Sequence, residues 1–257
     1  MRKLKLNFDT IILVENLHNF AESLKQIANT NLKDVRSVKR NALFLEDIIL
    51  HLNKKELTEI KKTLQKLHIF YKLQVLYETF ETNLEYEFAT AVIKGKKNVR
   101  DYLLTKRFIT LIKNEISLGK ITKNDKVLFI GSGPFPISPI LFNHFTGCHV
   151  DCYEKVKDRV EISNKALSKL GLSNLIEAFY KKGEEISSNK YNVIIIALLA
   201  KPKDRILKKI LVTVNPGTKS ISRPAESVNN VYYEETDNKL LKGYKIVKKK
   251  FGRIFGN

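Results

Sequence analysis

The sequence predicts an α/β protein in which an N-terminal helical-bundle domain (1–118) precedes a Rossmann-like sheet domain (119–257). Three observations predict it. A short apolar run, Val127 to Ile130, breaks into the paired glycines Gly131 and Gly133, as the first strand and ligand loop of a doubly wound sheet do. Beyond it, apolar runs of strand length alternate with charged segments of helix length. Before it, the chain shows helix periods and no convincing strand alternation.

In the N-terminal part, Leu57, Ile60, Leu64, Leu67 and Tyr71 recur at steps of three and four, and Leu76, Phe80, Leu84 and Phe88 at steps of four, which places each set on one helix face. Gly95 to Val99 reads as an inter-helix loop, and Val99 to Leu118 as a helix stopped by Gly119. Val127 to Ile130 carries no charge, as expected of a parallel strand covered on both faces. Gly131 and Gly133 let the backbone turn sharply and approach a ligand. Pro134, Pro136 and Pro139 stiffen the entry to the next helix, where a missing N–H is tolerated in the first turn. Cys148 to Glu154 is a second strand that ends in an acid. Asp158 to Leu170 is a helix with a stop at Gly171, and Asn174 to Phe179 is a third strand leading to Gly183-Glu184-Glu185. Tyr191 to Leu199, almost wholly apolar, is a central strand. The amphipathic Asp204 to Leu211, the turn Asn215-Pro-Gly217 and a last short strand follow.

The spacing assigns a nucleoside ligand to the carboxyl ends of the strands, and its loop chemistry suits S-adenosylmethionine (SAM). Gly131, Ser132, Gly133 and Pro134 form the loop. Glu154, about twenty residues on, is placed to accept hydrogen bonds from both ribose hydroxyls. Gly183 and Glu184 are candidates for adenine, and Ala197 and Leu198, at the carboxyl end of the fourth strand, complete the cofactor set.

Composition narrows the partners. The formal net charge is +19, from 46 Lys+Arg against 27 Asp+Glu, which makes nucleic acid a candidate. The lysines are spread in pairs, such as Lys61-Lys62 and Lys208-Lys209, and only Lys239 to Lys250 is dense. That pattern is the one of solvated faces, and nucleic acid is not expected as the partner. Cys148 and Cys152, four apart in one strand, are too far apart to bridge and read as buried thiols in a reducing compartment. His144 and His149 lie nearby, yet the paired Cys/His spacings of a metal site are missing, so no metal is expected. No apolar run reaches membrane-span length, and Met1 to Phe8 lacks the apolar core of a secretory signal. A soluble cytoplasmic protein is expected.

The run Gly131-Ser-Gly-Pro-Phe-Pro136 followed by Ile-Ser-Pro-Ile140 resembles the loop of nicotianamine synthases and the related bacterial opine-metallophore enzymes of the staphylopine type. Two further stretches are similar. One is the order strand, Ala197-Leu-Leu-Ala200, lysine-rich helix, Pro216-Gly217, strand and Ser222-Arg-Pro-Ala225; the other is Glu81-x-x-x-Glu85 with Asp101-Tyr102. The resemblance implies a helical domain over a SAM-binding Rossmann-like domain. It also implies a transfer of the 3-amino-3-carboxypropyl (aminobutyrate) group, not the methyl, from SAM to an amine, with release of methylthioadenosine. Histidine is the implied acceptor, the product rather than the enzyme binds metal, and a downstream opine-dehydrogenase-type reductase is an implied partner.

Such a reaction needs a group to accept the amine proton. Glu78, Glu81 and Glu85 lie along one helix line. The resemblance makes Glu85 the first candidate and Glu81 the second, against the alternative of a solvated acidic face. Tyr102 is a candidate for orienting the amine, or else a core tyrosine. Arg223 is placed to bind a substrate carboxylate bidentately, or else is a surface arginine. Phe135 stands where the family has leucine, and Pro224 where it tends to have serine, which reshapes the wall facing the acceptor. The rival readings are a methyltransferase acting on RNA or a small amine, and a non-catalytic nucleotide-sensing or RNA-binding protein. The Asn/Asp-Pro-Pro-aromatic motif of amine methyltransferases is replaced here by Ala197-Leu-Leu-Ala-Lys-Pro202.

Overall fold

A computed structural model describes residues 22–51, 54–186, 190–223 and 243–245. The N-terminal stretch weighed as a signal, Pro224, Ala225 and most of the basic run 239–250 lie outside the described residues. The chain forms two compact units, whose described parts are 22–81 and 82–223 with 243–245.

The first unit is helical throughout its described residues: α1 (22–28), α2 (Val35–His51), α3 (Lys54–Lys66) and the start of α4 (Phe70–Ile93). Of the periodic positions here, Ile60, Leu64, Leu76 and Phe80 are buried as the spacing predicts, and Leu24, Val38, Leu45 and Leu73 are buried as well; the side chain of Leu57 lies outside those described. One periodic set breaks. Leu67 falls beyond α3 and Tyr71 in the first turn of α4, 70% exposed. The cause is a turn at His68, whose φ of 53° lies in the left-handed region and ends the helix that the periodicity would have continued.

The second unit holds a five-stranded parallel sheet in the order β3-β2-β1-β4-β5. Its strands are β1 (Lys126–Ile130), β2 (His149–Glu154), β3 (Ile176–Tyr180), β4 (Val193–Ile196) and β5 (Lys219–Ser222). The helices are the rest of α4, α5 (Thr105–Gly119), α6 (Ile137–Thr146), α7 (Lys157–Lys169) and α8 (Lys203–Thr213). Val99 to Leu118 is thus two elements. A 3-10 turn at Val99–Asp101, capped reciprocally by Asn98 and Asp101, precedes α5. α5 ends on Lys120 in the left-handed conformation, one residue past Gly119.

β4 is buried at all four positions and lies beside β1, which explains its unbroken Val-Ile-Ile-Ile sequence. It stops at Ile196, so Ala197 to Leu199, expected as strand, form the turn at its carboxyl end. The start of this pair is set by Asn192, whose side chain accepts from Lys126 N at 2.8 Å and donates to Asp125 at 2.8 Å. Asn164 of α7 both donates to Ala178 O and accepts from Ala178 N, stitching that helix to β3. Cys148 and Cys152 are free and buried, and burial raises both thiol pKa values. No helix among the described residues is long and apolar enough to cross a membrane.

Candidate nucleoside and acceptor site

The strand order places the topological switch between β1, which feeds β2 and β3 on one side, and β4, which feeds β5 on the other. The glycine loop follows β1 at this point. Gly131 N donates to Tyr153 O at 2.8 Å and Ala197 N to Ile130 O at 3.0 Å, so the loop leaves the sheet between the ends of β2 and β4. Gly131 has φ +82°, and a Cβ there would meet Ala200 Cβ at 3.1 Å and Ala197 Cβ at 3.4 Å. The alanines at 197 and 200 are therefore small because the glycine backbone packs on them. Ser132 is buried. Pro134 and Phe135 are buried too, and Pro136 caps α6.

Glu154 ends β2 and is 4% exposed. Its Oε2 accepts from Gly133 N at 3.2 Å and its Oε1 from Val156 N at 3.0 Å. Each oxygen keeps a second lone pair, so the carboxylate can still take two hydroxyl donors, as a ribose requires. Arg159 of α7 lies 3.9 Å from it, with Tyr86 close to Arg159. Burial raises the Tyr86 pKa, with the Arg159 charge opposing. Gly183 opens a 3-10 turn, Gly183–Glu185, that carries Glu184. A Cβ on Gly183 would lie 2.7 Å from both Ile130 Cγ2 and Ile206 Cδ1, so this turn is pressed onto the end of β1.

Of the acceptor-side candidates, Glu85 is brought to the loop. A Cβ on Gly133 would fall on the Glu85 carboxylate, so Oε2 sits directly against this glycine. Glu81, one turn earlier on α4, belongs to the first unit. Tyr102 is 3% exposed within an aromatic cluster: its ring lies 5.0 Å from Phe88 and 5.7 Å from Phe135, and Phe88 stacks edge-on to Phe135 at 4.8 Å. The cluster ties α4 and the 3-10 turn to the glycine loop.

Arg223 follows β5 and turns inward. Its Nε and Nη2 donate to the two oxygens of Glu115 at 2.7 and 2.8 Å, and Nη1 donates to Ser138 Oγ at 3.1 Å. Sequence reasoning foresaw a bidentate carboxylate partner here, but the carboxylate is the protein's own. Glu115, Ser138, Arg159 and Tyr86 escaped the sequence reading. Glu115 had a signal, since it lies on the apolar stripe of the buried Ile112 and the partly buried Ile116, where a lone charge must be paired. Arg159 and Tyr86 had none.

A parallel sheet with a glycine loop at its switch point and a buried acid after β2 defines a nucleoside-binding protein of the Rossmann-like class. The sequence matches the family model described as nicotianamine synthase protein over residues 7–251, and the chain belongs to that family. Among curated relatives, it is 24% identical to the L-histidine 2-aminobutanoyltransferase of Yersinia pestis over 142 residues, which span 55% of this chain and about half, 52%, of that relative. Among solved structures, a glutamate-to-glutamine mutant of MtNAS superposes with a TM-score of 0.77 at 24% identity, covering 87% of this chain and 89% of the other. MtNAS in complex with MTA and tNA gives 0.77 at 23%, covering 94% and 91%. At these identities the structures speak for a shared fold.

Proposed function

We propose that this protein transfers the 3-amino-3-carboxypropyl group of SAM to the amine of an amino acid, histidine, and releases methylthioadenosine. The observation that carries the reading is the Glu85 carboxylate seated against Gly133, beside the glycine that Glu154 also holds. One carboxylate then faces the ribose and the other faces the incoming amine.

SAM is held by Gly131, Ser132, Gly133 and Pro134 along its backbone side, by Glu154 at the ribose, by Gly183 and Glu184 at the adenine, and by Ala197 and Leu198 across the loop. The amine nitrogen forms a bond to Cγ as the Cγ–S bond breaks. The electron pair goes to sulfur, and the ammonium proton passes to Glu85, with Glu81 as the second acid of the helix. Tyr102 orients the amine. The helices up to 118 serve the acceptor and the remainder of the chain serves SAM. Histidine is supported by the name of the Yersinia pestis relative. Its product would be consumed by a reductase of the opine-dehydrogenase type in metallophore synthesis, a cytoplasmic pathway in which the product, not the enzyme, binds metal.

The test is an incubation of purified protein with SAM and a mixture of amino acids, with and without RNA, read by mass spectrometry. Methylthioadenosine with aminobutyryl-histidine is the expected pair. S-adenosylhomocysteine would overturn the reading in favour of methyl transfer.

A further inference from the structure

Arg223 joins more parts of the second unit than its place at the end of an edge strand suggests. Its backbone N donates to Ile196 O at 3.2 Å, at the last residue of β4. Its backbone O accepts from Lys203 Nζ at 2.8 Å, and the same ammonium donates to Leu198 O at 3.1 Å. Its guanidinium takes both oxygens of Glu115 on α5 and the Ser138 hydroxyl in the first turn of α6, and lies 5.1 Å from the Phe129 ring centroid in β1. The Arg223 and Glu115 side chains are 10% and 5% exposed. One residue thus contacts the helix that the glycine loop enters, the strand that the loop leaves, and the turn that faces the loop from β4.

We infer that the Glu115–Arg223–Ser138 clasp is a positioning device for SAM, fixing the glycine loop against the Ala197–Ala200 turn. The inference rests on the SAM-binding part of the function proposed above. Its chemistry follows from the fork. A bidentate guanidinium–carboxylate pair fixes direction as well as distance, which an ammonium cannot do. The third contact, Nη1 to Ser138, transmits that direction to α6, whose first turn is continuous with the loop. A pair this deeply buried adds little net stability compared with apolar residues of the same volume, while removing one partner leaves an uncompensated charge. The exchange of both partners therefore separates positioning from stability.

The experiment measures the dissociation constant for SAM by calorimetry, and the thermal midpoint, for the full chain and for Arg223→Lys, Ser138→Ala and the double variant Glu115→Met with Arg223→Met. Positioning predicts a double variant whose midpoint is maintained but whose SAM affinity falls at least tenfold. It predicts a fall of about fivefold for Arg223→Lys and about twofold to fivefold for Ser138→Ala, which keeps the ion pair. The methylthioadenosine formed per aminobutyryl product should also rise in Arg223→Lys, because a displaced donor is hydrolysed in place of reacting with the amine. SAM affinities within twofold of the parent in Arg223→Lys and Ser138→Ala would overturn the clasp, whether or not the double variant folds. If the parent binds SAM but forms no aminobutyryl product, the proposed function falls, while the affinity series still decides the clasp.

Discussion

At position 133 a φ of +71° and the Glu85 carboxylate constrain the same backbone atom. Gly171 has the same φ of +71° but open space around it, so the two glycines separate strain from collision. Gly171→Ala should lose about 1–2 kcal/mol of stability in urea titration and bind SAM normally. Gly133→Ala should lose a similar amount of stability and, in addition, at least tenfold in SAM affinity, with part of the affinity restored when Glu85 is shortened to alanine. Glu85→Gln, which keeps the shape, should lower the transfer rate by about 100-fold or more while SAM affinity stays within threefold. An unchanged rate would remove Glu85 from the chemistry. The glycines were legible in the sequence because only a residue without Cβ fits such a turn. The pairing of Gly133 with a residue 48 positions earlier was not, since it depends on how α4 meets the loop.

At the scale of elements, β4 was the clearest strand in the sequence, and the structure buries Val193, Ile194, Ile195 and Ile196 completely or nearly so. Ile195→Ala should cost about 3–4 kcal/mol in urea unfolding, since a strand buried at every position has little room to collapse into the cavity. A cost under 1 kcal/mol would mean the layer above β4 relaxes. In the sheet-bearing part, the order of strands and helices followed from apolar runs alternating with charged segments and from glycine and proline stops, whereas the helices at 22–28 and Val35–His51 were not singled out. Misread were the places where local backbone chemistry overrides periodicity: the turn at His68, the capped 3-10 turn before α5, and the early end of β4 at Ile196. Arg223 shows the same limit for side chains. The sequence contained the residue and even its bidentate habit, but not the buried Glu115 that occupies it, because a partner 108 positions away is fixed by the packing of α5 on β5.

For the whole molecule, alkaline stability follows from two phenols, the buried Tyr191 and the half-buried Tyr244. Tyr191 is pushed well above the usual range by burial and by its hydrogen bond to Asp151, and Tyr244 is pushed up to about 12 by burial. Between pH 10 and 12 the unfolded chain loses these protons first, so it is favoured, and stability falls as pH rises. The urea midpoint should drop between pH 10 and 12, and Tyr244→Phe should reduce that slope. A flat profile would show that both hydroxyls ionise normally in the fold. The charge of +19, spread over solvated faces, should give RNA no more than non-specific association that is lost as salt rises from about 50 to 200 mM, while aminobutyrate transfer changes little.

The seating of Glu85 and Glu154 on either side of Gly133 has a consequence for turnover. In the proposed reaction SAM arrives as a sulfonium cation and leaves as a neutral thioether, the positive charge passing with the amine proton to Glu85, so the spent nucleoside no longer carries a charge for the two acids to attract. Release of the spent nucleoside is then helped by the loss of that attraction. Affinity for SAM should weaken with ionic strength, that for methylthioadenosine should not, and product inhibition should grow as salt is added.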